Sequence, residues 1–303
     1  MTSSRAPEVF TDWLDVTFSP NDCPTSQLRR LLLSLGFRVD FSDDRKTVYS
    51  VPAYSSAPSD GKLFLETGSS WCRASASGDV CAYLRAVGAW MDYLSELSSS
   101  PHKVTRLDAA MDLAMDGADL VAAMRARYPS GEVSLGRKAI RTSTFLNVRA
   151  DGRETGTWYA GHRSRARVTC RVYDKAHQML EKYGYLLPPT GRVEITGRDG
   201  SGVTLRDAAE PTAFFWHVSS PALLKAPEGI PMWQPNSDLG WTSQPREFNA
   251  VAFLQRRLEA LAPELDALCE AADSIGPEGR AYLLRMIERR LNSVPTTTAS
   301  DCA

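Results

Sequence analysis

A tyrosine flanked by cations is the first feature of this chain that could do chemistry. In RVTCRVYDK, residues 167–175, side-chain character alternates. Arg167, Thr169, Arg171, Tyr173 and Lys175 fall on one face of an expected strand, and Val168, Cys170, Val172 and Asp174 on the other. The same period divides two further segments. In TRLDAAMDL, Arg106, Asp108, Ala110 and Asp112 oppose Leu107, Ala109, Met111 and Leu113. In GRVEIT, Arg192, Glu194 and Thr196 oppose Val193 and Ile195. If the three strands share a sheet, one exposed face carries Tyr173, the acids 108, 112 and 194, and a set of Arg and Lys.

Each residue taken alone has a plainer reading. An acid on a strand can be solvated surface, a lone tyrosine is usually half-buried packing, and Arg beside Asp or Glu is usually a modest surface pair. Convergence points to chemistry instead. Carboxylates at positions 108, 194 and 112 suit a hard cation, Mg²⁺ or Mn²⁺. A tyrosine beside a metal and basic groups can act as a nucleophile. A phosphodiester is its natural electrophile, with the metal polarising a phosphoryl oxygen and Arg or Lys offsetting transition-state charge.

Two similar runs of elements would position these residues. The first has a strand at 13–18, a helix at 24–36, strands at 37–41, 47–54 and 62–67, and a helix at 78–97. The second has a strand at 104–115, a helix at 117–128, strands at 142–148, 155–162, 166–174 and 191–198, and a helix near 204–217. The order predicts an α+β fold, a duplicated antiparallel sheet with helices packed on one side and a helical C-terminal region. The divisions are an N-terminal half at 1–100, a catalytic half at 101–220, an irregular connection at 221–245, a helical region at 246–292 split by Pro263, and a disordered tail at 293–303.

The chain has 303 residues and a net charge of −1, a neutral total that does not by itself suggest a nucleic-acid binder. Its distribution does. Residues 134–198 hold thirteen Lys or Arg against five Asp or Glu, a local balance of +8 that suggests a confined polyanion site. No apolar run reaches about 18 residues and the N-terminus has no apolar leader core, so the expectation is a cytoplasmic protein with no membrane partner. Six cysteines without CxxC spacing fit a reduced compartment and no zinc ribbon.

The motifs resemble the replication initiation factor family of rolling-circle plasmids, filamentous phages and integrative elements, over roughly residues 12–220. DWLDVTF resembles the family's opening strand, and LFLETGSSWCR its Leu-x-Gly-x-x-Cys-Arg segment. VTRLDAAMDL resembles its Thr-Arg-hydrophobe-Asp-x-x-x-Asp motif. GTWYAGHRSRARVTCRVYDK and GRVEI resemble the blocks ending in Tyr-Asp-Lys and Arg-hydrophobe-Glu. The resemblance implies halves of RRM/TBP-like type and a nickase that starts rolling-circle replication in a bacterial host cell. Tyr173 would attack the scissile phosphate and stay joined to the 5′-phosphate. Asp108 and Glu194, with Asp112 third, would hold the metal. Lys175, Arg171 and Arg192 would steer the phosphate. Arg106, Arg163, Arg165 and Arg167 would contact the DNA backbone, and Trp158 or Tyr159 would stack on unpaired bases. His162 and His177 flank the strand, but no His-hydrophobe-His metal pair exists. A homodimer and recruitment of a host helicase or polymerase are also compatible with the family. Two rivals stand beside this reading: a non-catalytic DNA-binding regulator, and a hydrolase that uses metal-activated water.

Overall fold

A computed structural model describes residues 8–43, 45–52, 61–127, 142–161, 166–219, 226–235 and 266–292. Two compact units divide the chain, Met1–Arg246 and Glu247–Ala303.

The first unit is built on a ten-stranded antiparallel sheet. Its first half contains β1 (Val9–Phe18), α1 (Thr25–Ser34), β2 (Arg38–Ser42), β3 (Lys46–Ser50), β4 (Lys62–Thr67), β5 (Cys72–Ala76), α2 (Gly78–Ala86) and α3 (Trp90–Ser98). The second contains β6 (His102–Leu113), α4 (Gly117–Arg127), β7 (Thr142–Val148), β8 (Glu154–Ala160), β9 (Val168–Asp174), α5 (Lys175–Tyr183), β10 (Gly191–Arg198), α6 (Leu205–Ala209) and α7 (Thr212–Ser219). From edge to edge the strands run β2-β3-β4-β5-β1-β6-β10-β9-β8-β7. Each half therefore folds as strand, helix and four more strands, with α5 set between the last two strands of the second half, and the opening strand of each returns to the middle. β1 and β6 pair antiparallel there. This is the α+β fold with a duplicated sheet that the element order predicts.

Alternation makes the core. Leu14, Val16 and Phe18 of β1, Leu107, Ala109 and Met111 of β6, and Val193 and Ile195 of β10 are buried on one face. A Cβ at Gly191 would meet Leu120 of α4, and one at Gly197 would meet Phe214 of α7, so these helices lie on that face. Thr11 donates to the Ala208 carbonyl of α6 across the same layer.

Several boundaries differ from the periodicity. The strand at Cys72–Ala76 went unread because its alternating buried residues, Cys72, Ala74 and Ala76, are small and give only a weak apolar signal over five positions. The expected helix at 78–97 is two helices, broken where Gly88 takes φ +70° and Ala89 N–H bonds back to the Leu84 carbonyl. The last predicted helix of this unit divides before Pro211. Cys23 and Cys72 are joined in a disulfide, a departure from the reduced thiols expected for this composition. Among the described residues no helix is long and apolar enough to cross a membrane.

In the second unit, residues 266–275 are helical and a further helix spans Pro277–Asn292, opening on the proline as expected. Pro263 and the tail at 293–303 lie outside the described residues.

Candidate active site

The register brings the three predicted strands together on one face. Arg192 is paired with Asp112 on β6 and with Tyr173 on β9; Glu194 is paired with Ala110 and Arg171. Thr196 sits opposite Asp108 and Thr169. This face does not lie open as the sequence suggests. Tyr173 is 4% exposed, Glu194 and Asp108 are each 2% exposed, and Arg192 is buried too. Tyr173 and Asp108, with Asp12, Arg106 and Arg171, line a cavity of about 360 Å³, and Glu194 and Arg192 lie beneath these residues rather than in its lining. Its walls come from both halves, with Lys62, Phe64 and Asp79 on one side and Lys175, Gln178 and Lys182 on the other.

Asp108, Glu194, Asp112 and Asp12 are each met by an arginine. Arg106 grips Asp108 two residues along the same strand face, Nε to Oδ1 at 3.0 Å and Nη2 to Oδ2 at 2.5 Å. Its guanidinium also lies over the Trp13 ring, 4.5 Å from the centroid. Arg171 donates through Nη2 to Glu194 Oε2. Arg192 spans two acids, with Nε and Nη2 on Asp112 at 2.5 and 2.8 Å and Nη1 on Asp12 Oδ1 at 3.0 Å. The Tyr173 hydroxyl donates to Glu194 Oε2 at 3.5 Å, and the Arg171 guanidinium carbon lies 4.6 Å from the Tyr173 ring centroid. Among the described residues, the buried Arg171 Nε has no hydrogen-bond partner.

Burial dominates the electrostatics. It raises Tyr173 well above the ordinary phenol range, against the pull of Arg192 and Arg171. It also pushes Glu194 up to about 7, opposed by Arg171 and reinforced by the charges of Asp108 and Asp12. Lys175 is lowered by burial and by Arg192. The resting phenol therefore keeps its proton at neutral pH.

The structure separates some of the predicted residues. Trp158 is corrected from a base-stacking residue to a core one: it pairs with Val172 on the apolar face and is 1% exposed, so no base can reach it. Its neighbour Tyr159 pairs with Arg171 on the opposite face. Arg167 is exposed beside Gly200 and away from the cavity lining. Arg163, Arg165 and His162 lie outside the described residues. Lys175 is the first residue of α5 rather than the end of a strand, and its Nζ donates to Gln178 Oε1 at 3.0 Å while still lining the cavity.

Asp12 was missed. It sits at a register shift between Thr11 and Trp13, so the two-residue period breaks there and turns it toward Arg192. A bulge leaves no mark on an alternation pattern, although an Asp just before a strict alternation was the available cue. Among the described residues, no three His, Cys, Asp or Glu side chains converge closely enough to hold a metal ion. As placed, Asp108, Glu194 and Asp112 are each engaged by a guanidinium group.

No family model matches the chain, and no curated protein matches it. Among solved structures it is similar to the rolling circle replication initiator protein from Geobacillus stearothermophilus, at 19% identity and a TM-score of 0.47, over 76% of this chain and 93% of that one. That degree of likeness assigns no role to any residue.

Proposed function

We propose that this chain is a rolling-circle replication initiator that nicks and rejoins origin DNA through Tyr173. The observation that carries the reading is the Arg171 Nε, without a partner among the described residues, beside the Tyr173 ring in a cation-rimmed cavity. An orphaned guanidinium donor costs free energy until an acceptor arrives, and a phosphoryl oxygen is an acceptor of the right charge. The phenol oxygen attacks phosphorus, its proton passes to Glu194, and the departing 3′ oxygen takes a proton from water. A phosphotyrosine at the 5′ end and a free 3′-OH result, and reversal rejoins the strand. Arg171 and Lys175 offset the charge gathering on the phosphoryl oxygens.

Mg²⁺ or Mn²⁺ at Asp108 and Glu194 is a separate part of the proposal, and no step above passes through it. Binding there requires Arg106 and Arg171 to release their acids. The DNA partner is an unpaired or extruded origin strand, approached along exposed Arg167.

The test is incubation with supercoiled DNA carrying the element's own origin, with Mn²⁺ and separately with EDTA, followed by a denaturing gel and mass mapping. A 5′-linked adduct at residue 173, lost in Tyr173→Phe, is expected. Nicking that survives in Tyr173→Phe without an adduct would overturn the nucleophile in favour of activated water. The pairing of Asp108, Glu194, Asp12 and Asp112 with arginines favours one rival, a non-catalytic DNA-binding protein on the same scaffold. That reading expects no adduct and undiminished DNA binding by Tyr173→Phe.

A further inference from the structure

Behind the cavity, on the other face of β9, lies a second ionic cluster. Asp174 sits between Tyr173 and Lys175, and its side chain is 1% exposed. It is the N-cap of α5, with Oδ1 accepting from His177 N–H at 3.1 Å. Oδ2 accepts from Thr155 Oγ1 at 2.6 Å and from Arg149 through Nε at 3.0 Å and through Nη2. The same Arg149 grips Asp116, at 2.7 and 3.0 Å. Asp116 in turn accepts from Ala118 N–H at the start of α4. One guanidinium thus ties two helix starts together. The space is tight: a Cβ on Gly117 would lie 2.4 Å from the Asp174 Cα.

The geometry points to Arg149 as a positioning residue for Tyr173 and Lys175. This inference rests on the nickase reading above. At Asp174 the backbone turns from strand to helix, and that turn sets the directions of the two flanking side chains. Alternation sends Asp174 to the back of the sheet and Tyr173 to the cavity. The clamp therefore acts on the nucleophile without occupying the substrate's space. Without Arg149, Asp174 is left as a buried carboxylate short of its counter-charge, a state that favours local rearrangement.

The experiment compares Arg149→Met, Arg149→Lys, Thr155→Val and Arg153→Ala in the full chain. Arg153 bonds Asp116 and Asp119 and lies exposed, so it serves as the control. Amide hydrogen exchange at His177 reports the clamp without any DNA. Adduct formation on a saturating single-stranded origin oligonucleotide, with Kd from anisotropy, reports positioning. Arg149→Met is expected to speed exchange at His177 by at least about 10-fold and to slow adduct formation by about 100-fold, with Kd within about 3-fold. Arg149→Lys should recover part of both, and Arg153→Ala should change neither by more than about 2-fold. If Arg149→Met fails to fold, Thr155→Val removes one hydrogen bond to Asp174 and should move both readouts the same way by less. Unchanged exchange, or faster exchange with an unchanged adduct rate, overturns the proposal. Absence of adduct in the unsubstituted chain overturns the nickase reading and with it the positioning role, while the exchange data still show whether the clamp exists.

Discussion

The two halves of the sheet put an arginine at the same place and answer it differently. Counting from the β4–β5 and β9–β10 connections, the pair Thr67–Cys72 corresponds to Asp174–Gly191, and the next pair is Glu66–Arg73 in one half and Tyr173–Arg192 in the other. In the first half Arg73 is met across the strand by Glu66, partly solvated and also paired with Lys46. Arg73 and Lys46 hold the Glu66 carboxyl below its ordinary range despite its burial. In the second half the cross-strand place belongs to Tyr173, and Arg192 takes its counter-charges from Asp112 and Asp12 on the central strands. Moving the acids inward leaves the cross-strand place to an uncharged phenol beside cations. A surface pair has become a pocket by exchange of one residue type and relocation of two charges.

Breaking each arginine in turn tests whether burial makes the difference. Arg192→Met should cost about 3 kcal/mol in urea unfolding, the low end for a broken buried pair because Asp112 is partly solvated. Equal costs at positions 192 and 73 would erase the contrast. Tyr173→Phe should change stability by no more than about 1 kcal/mol, since it removes only one long hydrogen bond to Glu194. A larger loss would make the phenol a structural strut. Arg73→Met should cost only about 0.2–1 kcal/mol, as for an exposed pair.

A pH-dependent effect sharpens the comparison behind the sheet. Arg149, followed by burial, Ala118 and Arg153, sets the Asp116 carboxyl, with the net result that it is held down to about 2. Its folded pKa lies below the ordinary aspartate value of about 3.9. The carboxylate's contribution to stability is therefore complete above about pH 4 and is lost as pH falls toward about 2. Urea midpoints of the unsubstituted chain and Asp116→Asn should differ at pH 6 and converge near pH 2. A difference that persists at pH 2 would assign the effect to packing rather than charge.

Much of this was legible because period-two alternation reports faces. Arg106, Asp108, Arg171, Tyr173, Arg192 and Glu194 were all read onto one face, and they share it. Alternation says nothing of depth, so the same reading made that face open when helix residues such as Asp79 and Gln178 wall it in. Trp158 was misplaced for a related reason. A tryptophan among small residues gives no sign of which face is apolar. Asp12 and Arg149 act at a bulge and at a strand end, where neither sequence period applies.

The sheet also ends differently at its two margins. β2 carries Arg38 beside exposed Val39 and Phe41, with Asp40 turned to Ser50 and Lys62, and a charge on an edge strand discourages another strand from joining. β7 displays Phe145, Leu146 and Val148, all exposed, and carries no charged residue. Among the described residues no strand pairs with its outer side. The uncharged β7 margin is thus the more receptive to extension, so intermolecular strand addition during refolding would begin at β7, and a lysine in place of Leu146 is the substitution that should suppress it.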